Sequence, residues 1–124
     1  KNARALKMKN ILIVDDEEFI IEIWEEVLTG KGYSVKSAGN GDGAVALMKE
    51  EQFDLVLTDM KMPGSDGVVV LEYLSKITTK PKVVVSTGYV EFDDLLTRFE
   101  IDRIIHKPFD IRKELNELCL LLET

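Results

Sequence analysis

Residues 55–64 read LVLTDMKMPG, and this stretch decides the fold. An apolar run ends abruptly at the carboxylate of Asp59, and Pro63 and Gly64 follow as a turn signal. A short continuous apolar run bounded by turn residues is typical of a strand buried in a parallel sheet. Asp59 is therefore predicted at the C-terminal tip of a buried strand, where open α/β sheets place their ligands.

The composition indicates one globular domain without a basic surface. The chain has 124 residues, of which 45% are hydrophobic and 31% charged, and a formal net charge of -7. This balance argues against nucleic-acid binding by this domain, because phosphate binding needs a concentrated positive face. No apolar run approaches the roughly 20 residues of a transmembrane helix, so no membrane partner is expected. Cys119 is the single cysteine, which excludes an internal disulfide and favours a reducing, cytoplasmic setting.

Residues 1–9 differ from the acidic remainder of the chain. They carry Lys1, Arg4, Lys7 and Lys9, and the chain does not begin with Met. We interpret residues 1–9 as a linker or an appended remnant and expect one domain over residues 10–124. A linker here would mean that the domain belongs to a longer protein.

Strand and helix signals alternate five times along residues 10–124. Apolar runs predict the strands, and apolar positions that recur every three or four residues predict the helices. The third helix is the least certain, because Val68, Val69 and Val70 are β-branched, but the helical period continues to Ile77. Strands are predicted over residues 10–14, 33–37, 53–58, 82–86 and 103–106.

The inward faces of the helices follow from the same periodicity, and Asp110 is a plausible N-cap for the last helix. The predicted inward residues are Phe19, Ile20, Ile23, Trp24, Val27 and Leu28, then Ala44, Val45, Leu47 and Met48, then Val70, Leu71, Leu74 and Ile77, then Phe92, Leu95, Leu96 and Phe99, and finally Ile111, Leu115, Leu118 and Leu122.

This alternation predicts a (βα)5 doubly wound α/β fold, a three-layer sandwich around a parallel five-stranded sheet of order 2-1-3-4-5. In that order four strand tips meet at one edge of the sheet. They carry Asp15 with Asp16, Asp59, Thr87 and Lys107. The topology therefore predicts three carboxylates, a hydroxyl and an amine at one place.

Carboxylates this close repel one another, and a hard divalent cation removes the conflict. Mg²⁺ prefers oxygen ligands, so Asp16 and Asp59 are predicted as direct ligands, with Asp15 acting through water. The Lys107 ammonium and the Thr87 hydroxyl would suit the oxygens of a phosphoryl group during transfer. Asp59 can itself be the nucleophile, which gives an acyl phosphate.

The chain resembles the receiver domains of two-component response regulators over residues 10–124. Five short motifs in the expected order carry the resemblance, and together they are far more specific than any one of them. They are Asp15-Asp16, Asp59 within Asp-Met-Lys-Met-Pro-Gly, Asp66-Gly67, Thr87-Gly88 and Lys107-Pro108-Phe109.

The resemblance implies a signalling switch and not a turnover enzyme. Asp59 would accept a phosphoryl group from a phosphohistidine on a sensor histidine kinase or a histidine phosphotransfer protein. Asp15, Asp16 and Asp59 would bind Mg²⁺ together with the backbone carbonyl of Lys61, and Lys107 would contact the phosphoryl oxygens.

The resemblance also implies an output route. Thr87 would move toward the phosphate and shift the surface formed by the fourth helix, the fifth strand and the fifth helix. A fused effector domain or a second receiver in a homodimer would use that surface. Receivers often have Tyr or Phe three residues before the Lys, whereas this chain has Ile104, so the aromatic part of the route is missing.

The resemblance further implies that two positions near the acceptor tune dephosphorylation. Lys61 and Tyr89 lie two residues after Asp59 and Thr87, and we expect them to restrict the access of water to the phosphate. Ser86 is interpreted as structural, and His106, the only histidine, as incidental.

Two other functional classes remain open at this point. One is an Mg²⁺-dependent phosphohydrolase, although Asp15-Asp16 lacks the Asp-x-Asp spacing of the haloacid-dehalogenase group. The other is a pseudo-receiver that binds partners without phosphorylation.

Overall fold

The structure is a computed structural model that describes residues 8–88 and 97–123. The helix predicted over Phe92–Phe99 lies largely outside these ranges, as does Tyr89. Within the described ranges, none of the helices combines the length and the apolarity that crossing a bilayer requires. The strands are β1 (Asn10–Val14), β2 (Ser34–Ala38), β3 (Leu55–Asp59), β4 (Lys82–Thr87) and β5 (Arg103–His106), and the helices are α1 (Glu18–Gly30), α2 (Gly41–Glu50), α3 (Gly67–Lys76) and α4 (Ile111–Glu123).

The five strands form one parallel sheet of order β2-β1-β3-β4-β5, which confirms the predicted topology. Side chains alternate between the two faces of the sheet and build two separate cores. One core joins the sheet to α1 and α4 through Trp24, Leu28 and Leu118. The other joins it to α2 and α3 through residues such as Ala44 and Leu71. The sheet therefore lies between two helical layers, and β3 is buried along its whole length.

Side-chain caps explain where three helices begin. The side chain of Asn40 accepts a hydrogen bond from Gly43 N at 2.8 Å, and Asp66 accepts one from Val68 N at 3.0 Å. Asp110 accepts one from Arg112 N at 3.0 Å, which confirms the predicted cap of the last helix. Each cap satisfies a backbone N–H that the helix itself leaves unpaired. In α3 the cap and the burial of its inner face outweigh the poor helix propensity of the valine run.

The bounds of three strands and one helix position were wrong in detail. β2 begins and ends one residue later than predicted, β3 begins at Leu55 and includes Asp59, and β4 extends to Thr87. Phe19 was predicted to face inward, but 68% of it is exposed. Phe19 precedes the buried Trp24 by five residues, which at 100° per residue places it about 140° around the helix from the core. The inward stripe is therefore narrower in the first turn of α1 than the sequence suggested.

Candidate functional site

Four strand tips meet at one edge of the sheet, as the topology requires. Asp15 follows β1, Asp59 ends β3, Thr87 ends β4 and Lys107 follows β5. Carboxylate oxygens of Asp15, Asp16 and Asp59 lie within 4.8 Å of one another. Asp15 and Asp59 are buried, whereas Asp16 is exposed. The sheet thus holds two of the carboxylates rigidly and leaves the third open to solvent.

The Lys107 ammonium lies between the buried carboxylates. Its Nζ is 3.3 Å from Asp15 Oδ2, 3.4 Å from Asp59 Oδ2 and 3.8 Å from Glu17 Oε2. The backbone N–H of Lys107 also donates to the Thr87 carbonyl at 2.9 Å. The backbone therefore ties the lysine to the end of β4 while its side chain reaches across to β3 and β1.

Backbone donors fix the orientation of two of the carboxylates. Met60 N donates to Asp59 Oδ1 at 2.8 Å, and Glu17 N donates to Asp15 Oδ1 at 2.9 Å. Each carboxylate therefore uses one oxygen for a backbone contact and turns the other toward Lys107. The sequence did not predict these donors, because they depend on the local turn after each strand.

Burial and neighbouring charges shift the pKa values of Asp59 and Lys107. Burial raises the pKa of the Asp59 carboxyl above its usual range, the Lys107 charge lowers it in part, and the negative charge of Asp15 raises it further. Burial alone would lower the pKa of the Lys107 ammonium, but Asp15 and Asp59 together outweigh it and leave that pKa raised. Asp59 is thus a comparatively basic carboxylate beside a firmly protonated amine.

A close backbone contact holds the turn between β3 and α3. Gly67 N donates to the Met60 carbonyl at 2.9 Å. A Cβ at Gly67 would lie 2.8 Å from Met60 Sδ and nearer still to the Asp59 carbonyl oxygen, so the position has no room for a side chain. Lys61, whose backbone carbonyl the resemblance assigned to a metal, lies exposed in this turn. The start of α3 therefore presses directly on the strand tip that carries Asp59.

Two aromatic side chains lie beside the site on the α1 side of the sheet. The rings of Trp24 and Phe109 stack with their centroids 5.7 Å apart. They border a surface cavity of about 430 Å³ that is also lined by Glu17, Ile20 and Lys107 itself. Sequence reasoning assigned Trp24 only to packing and missed Glu17. The one signal in the sequence for Glu17 was its position directly after Asp15 and Asp16.

The donor set fits a hard divalent cation. Asp15, Asp16 and Asp59 bring three formal negative charges together, and among the described residues Lys107 is the cation that faces them. One ammonium leaves two negative charges uncompensated. Oxygen-only ligands with one exposed member are what Mg²⁺ requires, because Mg²⁺ keeps several of its waters.

Comparisons with known proteins agree with this geometry. Residues 11–118 match the model of the response regulator receiver domain. The chain is 39% identical over 105 residues to sporulation initiation phosphotransferase F of Bacillus subtilis (strain 168), which covers 83% of this chain and 85% of the relative.

Solved structures give the same result. A CheY-like response regulator receiver domain protein from Methanospirillum hungatei JF-1 superposes with a TM-score of 0.87 at 31% identity, covering 94% of this chain and 95% of that one. The response regulator TrrA of Thermotoga maritima, solved in complex with Mg(2+)-BeF, gives a TM-score of 0.81 at 32% identity over 92% of this chain and 99% of its own. This chain therefore belongs to the response regulator receiver domains of two-component signalling.

Proposed function

We propose that Asp59 is the phosphoacceptor of this receiver domain and that its donor is a phosphohistidine on a sensor histidine kinase or a histidine phosphotransfer protein. One observation carries the assignment. Asp59 is a buried carboxylate at the tip of the central strand, and its Oδ2 faces the Lys107 ammonium at 3.4 Å with two further carboxylates nearby. The charge and the oxygen atoms of this site suit the transfer of a phosphoryl group.

The transfer balances with the groups at hand. An Asp59 carboxylate oxygen attacks phosphorus, an O–P bond forms as the P–N bond to imidazole breaks, and the bonding electron pair leaves with the imidazole nitrogen. The raised pKa of Asp59 makes its carboxylate a better nucleophile than an exposed one. Lys107 lies close enough to neutralise charge that moves onto the phosphoryl oxygens.

Asp15, Asp16 and Asp59, with the backbone carbonyl of Lys61, would hold Mg²⁺ at this site. The bound ion would supply positive charge to the phosphoryl oxygens. Two observations support this assignment. Three carboxylate oxygens lie within 4.8 Å of one another, and the similar protein TrrA was solved in complex with Mg(2+)-BeF. Mg²⁺ should raise the unfolding temperature of the wild type, and Asp16→Asn, an exposed change, should weaken that shift. An equal shift in both proteins would contradict the metal assignment.

The output is proposed to pass through β4 and the edge strand β5. Thr87 pairs with His106 across the two strands, and its carbonyl accepts the Lys107 N–H. Movement of Thr87 would therefore displace β5, where Ile104 is 38% exposed in place of the usual aromatic residue. A fused effector domain or a second receiver would read that surface. The part of this surface assigned to the helix predicted over Phe92–Phe99 lies largely outside the described residues.

The domain is proposed to act as a switch that does not turn over external substrates. We place this domain at residues 10–124 and interpret residues 1–9 as a linker. The cytoplasmic location also stays a prediction.

Incubation with phosphoramidate and Mg²⁺, followed by intact-mass measurement, tests the proposal. Phosphoramidate carries the P–N bond of a phosphohistidine without needing a kinase. The wild type should gain the mass of one phosphoryl group, Asp59→Asn should gain none, and Asp42→Asn, an exposed change in α2, should behave as the wild type. No gain in the wild type would favour a pseudo-receiver. Multiple turnover of small phosphate esters would favour a phosphohydrolase.

A further inference from the structure

The Ser86 hydroxyl is an unusual buried group. Ser86 is 4% exposed, and its Oγ is buried without a hydrogen-bond partner among the described residues. A buried polar atom without a partner costs free energy, and native proteins contain few of them. Sequence patterns assigned Ser86 only a structural role, but alanine would fill a purely structural position here without burying an unpaired hydroxyl.

The strand register places Ser86 beside the proposed phosphoacceptor. Ser86 in β4 pairs with Asp59 in β3 on one side and with Ile105 in β5 on the other. Val84, two residues before Ser86, packs in the core under α1 and α4, as do Leu57 and Ile105. Because side chains alternate along a strand, Ser86 lies on the same face of the sheet as Asp59 and Lys107.

Lys107 must cross β4 to make its contacts. It follows β5, whereas Asp59 and Asp15 belong to β3 and β1, and β4 lies between them. Ser86 is the last β4 residue on the face that this side chain crosses. Its hydroxyl therefore lies next to the path of the ammonium.

A count of donors indicates when this hydroxyl is used. An ammonium has three N–H donors. Here Asp15 Oδ2 and Asp59 Oδ2 lie 3.3 and 3.4 Å from Lys107 Nζ, whereas Glu17 Oε2, at 3.8 Å, lies beyond hydrogen-bond distance. Phosphoryl transfer makes one Asp59 oxygen the bridging oxygen of an acyl phosphate and removes the charge of that carboxylate. The donor released by Asp59 then turns to the phosphoryl group and another stays with Asp15, which leaves the third donor for a nearby acceptor. The nearby hydroxyl is an unused acceptor.

We propose that Ser86 is a positioning residue for Lys107, whose ammonium donates to Ser86 Oγ as Asp59 takes up the phosphoryl group. This inference rests on the proposed function of Asp59. Among the described residues the hydroxyl has no partner in the resting structure, because Asp15 and Asp59 still hold the ammonium. It then keeps the ammonium directed at the phosphoryl oxygens.

Three variants test the proposal. Ser86→Ala should slow phosphorylation by phosphoramidate roughly tenfold, as expected for the loss of one hydrogen bond to a charged group. The same variant should unfold at an equal or higher temperature than the wild type in metal-free buffer, because it removes a hydroxyl that has no partner there. Ser86→Thr and Ser86→Val share one shape and differ in the hydroxyl, so Thr should be phosphorylated roughly tenfold faster than Val.

The outcomes separate this inference from the proposed function. If the wild type is phosphorylated and Ser86→Ala reacts at the same rate, the positioning role is wrong while the function of Asp59 stands. The same conclusion follows if Ser86→Val and Ser86→Thr are phosphorylated at equal rates. If Ser86→Ala is destabilised as much as Ser86→Val, the positioning role is also contradicted, because the Ser86 hydroxyl would then stabilise the resting state. If the wild type is not phosphorylated, the proposed function fails and takes this inference with it.

Discussion

Gly67→Ala is expected to damage both the fold and the site, although alanine is normally the better residue in a helix. Gly67 is the first residue of α3. An added Cβ would lie 2.9 Å from Met60 Cα and 2.8 Å from Met60 Sδ, and still nearer the Asp59 carbonyl oxygen. Carbon atoms in contact normally lie about 3.5–4.0 Å apart. Because the added Cβ meets backbone atoms of Asp59 and Met60 as well as the Met60 side chain, the backbone has to move by roughly 0.6–1 Å.

Overpacking of this kind costs about 1–3 kcal/mol, and the strand tip is buried too tightly to yield easily. The gain in helix propensity from Gly to Ala returns at most about 1 kcal/mol. The net expectation is a loss of about 1–2 kcal/mol, which corresponds to about 3–10 °C in the unfolding temperature of a domain this size. Gly43→Ala in α2 is the matched control, because its Cβ would meet only Asn40 Oδ1 at 3.4 Å and Ala38 Cβ at 3.5 Å. It should stabilise by up to about 1 kcal/mol.

Urea titration of both variants measures the difference, and phosphorylation by phosphoramidate measures its effect on the site. Gly67→Ala should have the lower urea midpoint and react more slowly, because the shift moves the Asp59 backbone. Gly43→Ala should react as the wild type does. Equal midpoints for the two variants would refute the claim that α3 presses on the strand tip.

Three further predictions concern charged and titrating groups. Glu114 is buried and accepts a hydrogen bond from Arg103 Nε at 2.8 Å, so Glu114→Gln should lower the free energy of urea unfolding by about 1–3 kcal/mol. Glu117 lies 3.5 Å from Arg103 and is more exposed, so Glu117→Gln should lower it by less than about 1 kcal/mol. Equal losses in the two variants would contradict this dependence on burial. Burial and a hydrogen bond with the Cys119 side chain raise the pKa of Tyr33 to about 12. The unfolded chain loses this proton near pH 10 and the folded chain keeps it, so stability should fall between about pH 10 and 12 more steeply in the wild type than in Tyr33→Phe, and parallel thermal profiles of the two proteins would refute the assignment. Asp59→Asn should raise the unfolding temperature in metal-free buffer, because burial and Asp15 disfavour the charge of that carboxyl; a lower temperature would show that the contact with Lys107 dominates.

The sequence was sufficient for the fold because its signals are local and repeated. Apolar runs and helical periods gave the order of elements, and the order alone brought Asp15, Asp59, Thr87 and Lys107 to one edge of the sheet. The same information could not show that Phe19 faces solvent, since periodicity does not define where the core ends.

Other features of the site depend on packing between elements that are distant in sequence. The exclusion of a side chain at Gly67 can be seen only from the position of the β3 tip. The lack of a partner for Ser86 within residues 8–88 and 97–123 can be seen only from the packing around β4. Sequence patterns report which face a residue occupies, but they do not report which polar atoms on that face remain unpaired. These are the features on which the new predictions depend.

The most direct test of the account is the chemical identity of the modified residue. Phosphorylated protein can be reduced with borohydride, which converts an aspartyl phosphate to homoserine, and the peptides then sequenced by mass spectrometry. We expect homoserine at position 59 and unmodified aspartate at positions 15 and 16. Homoserine at another position, or a phosphoryl group retained through reduction on a serine or threonine, would contradict the assignment of Asp59 as the phosphoacceptor.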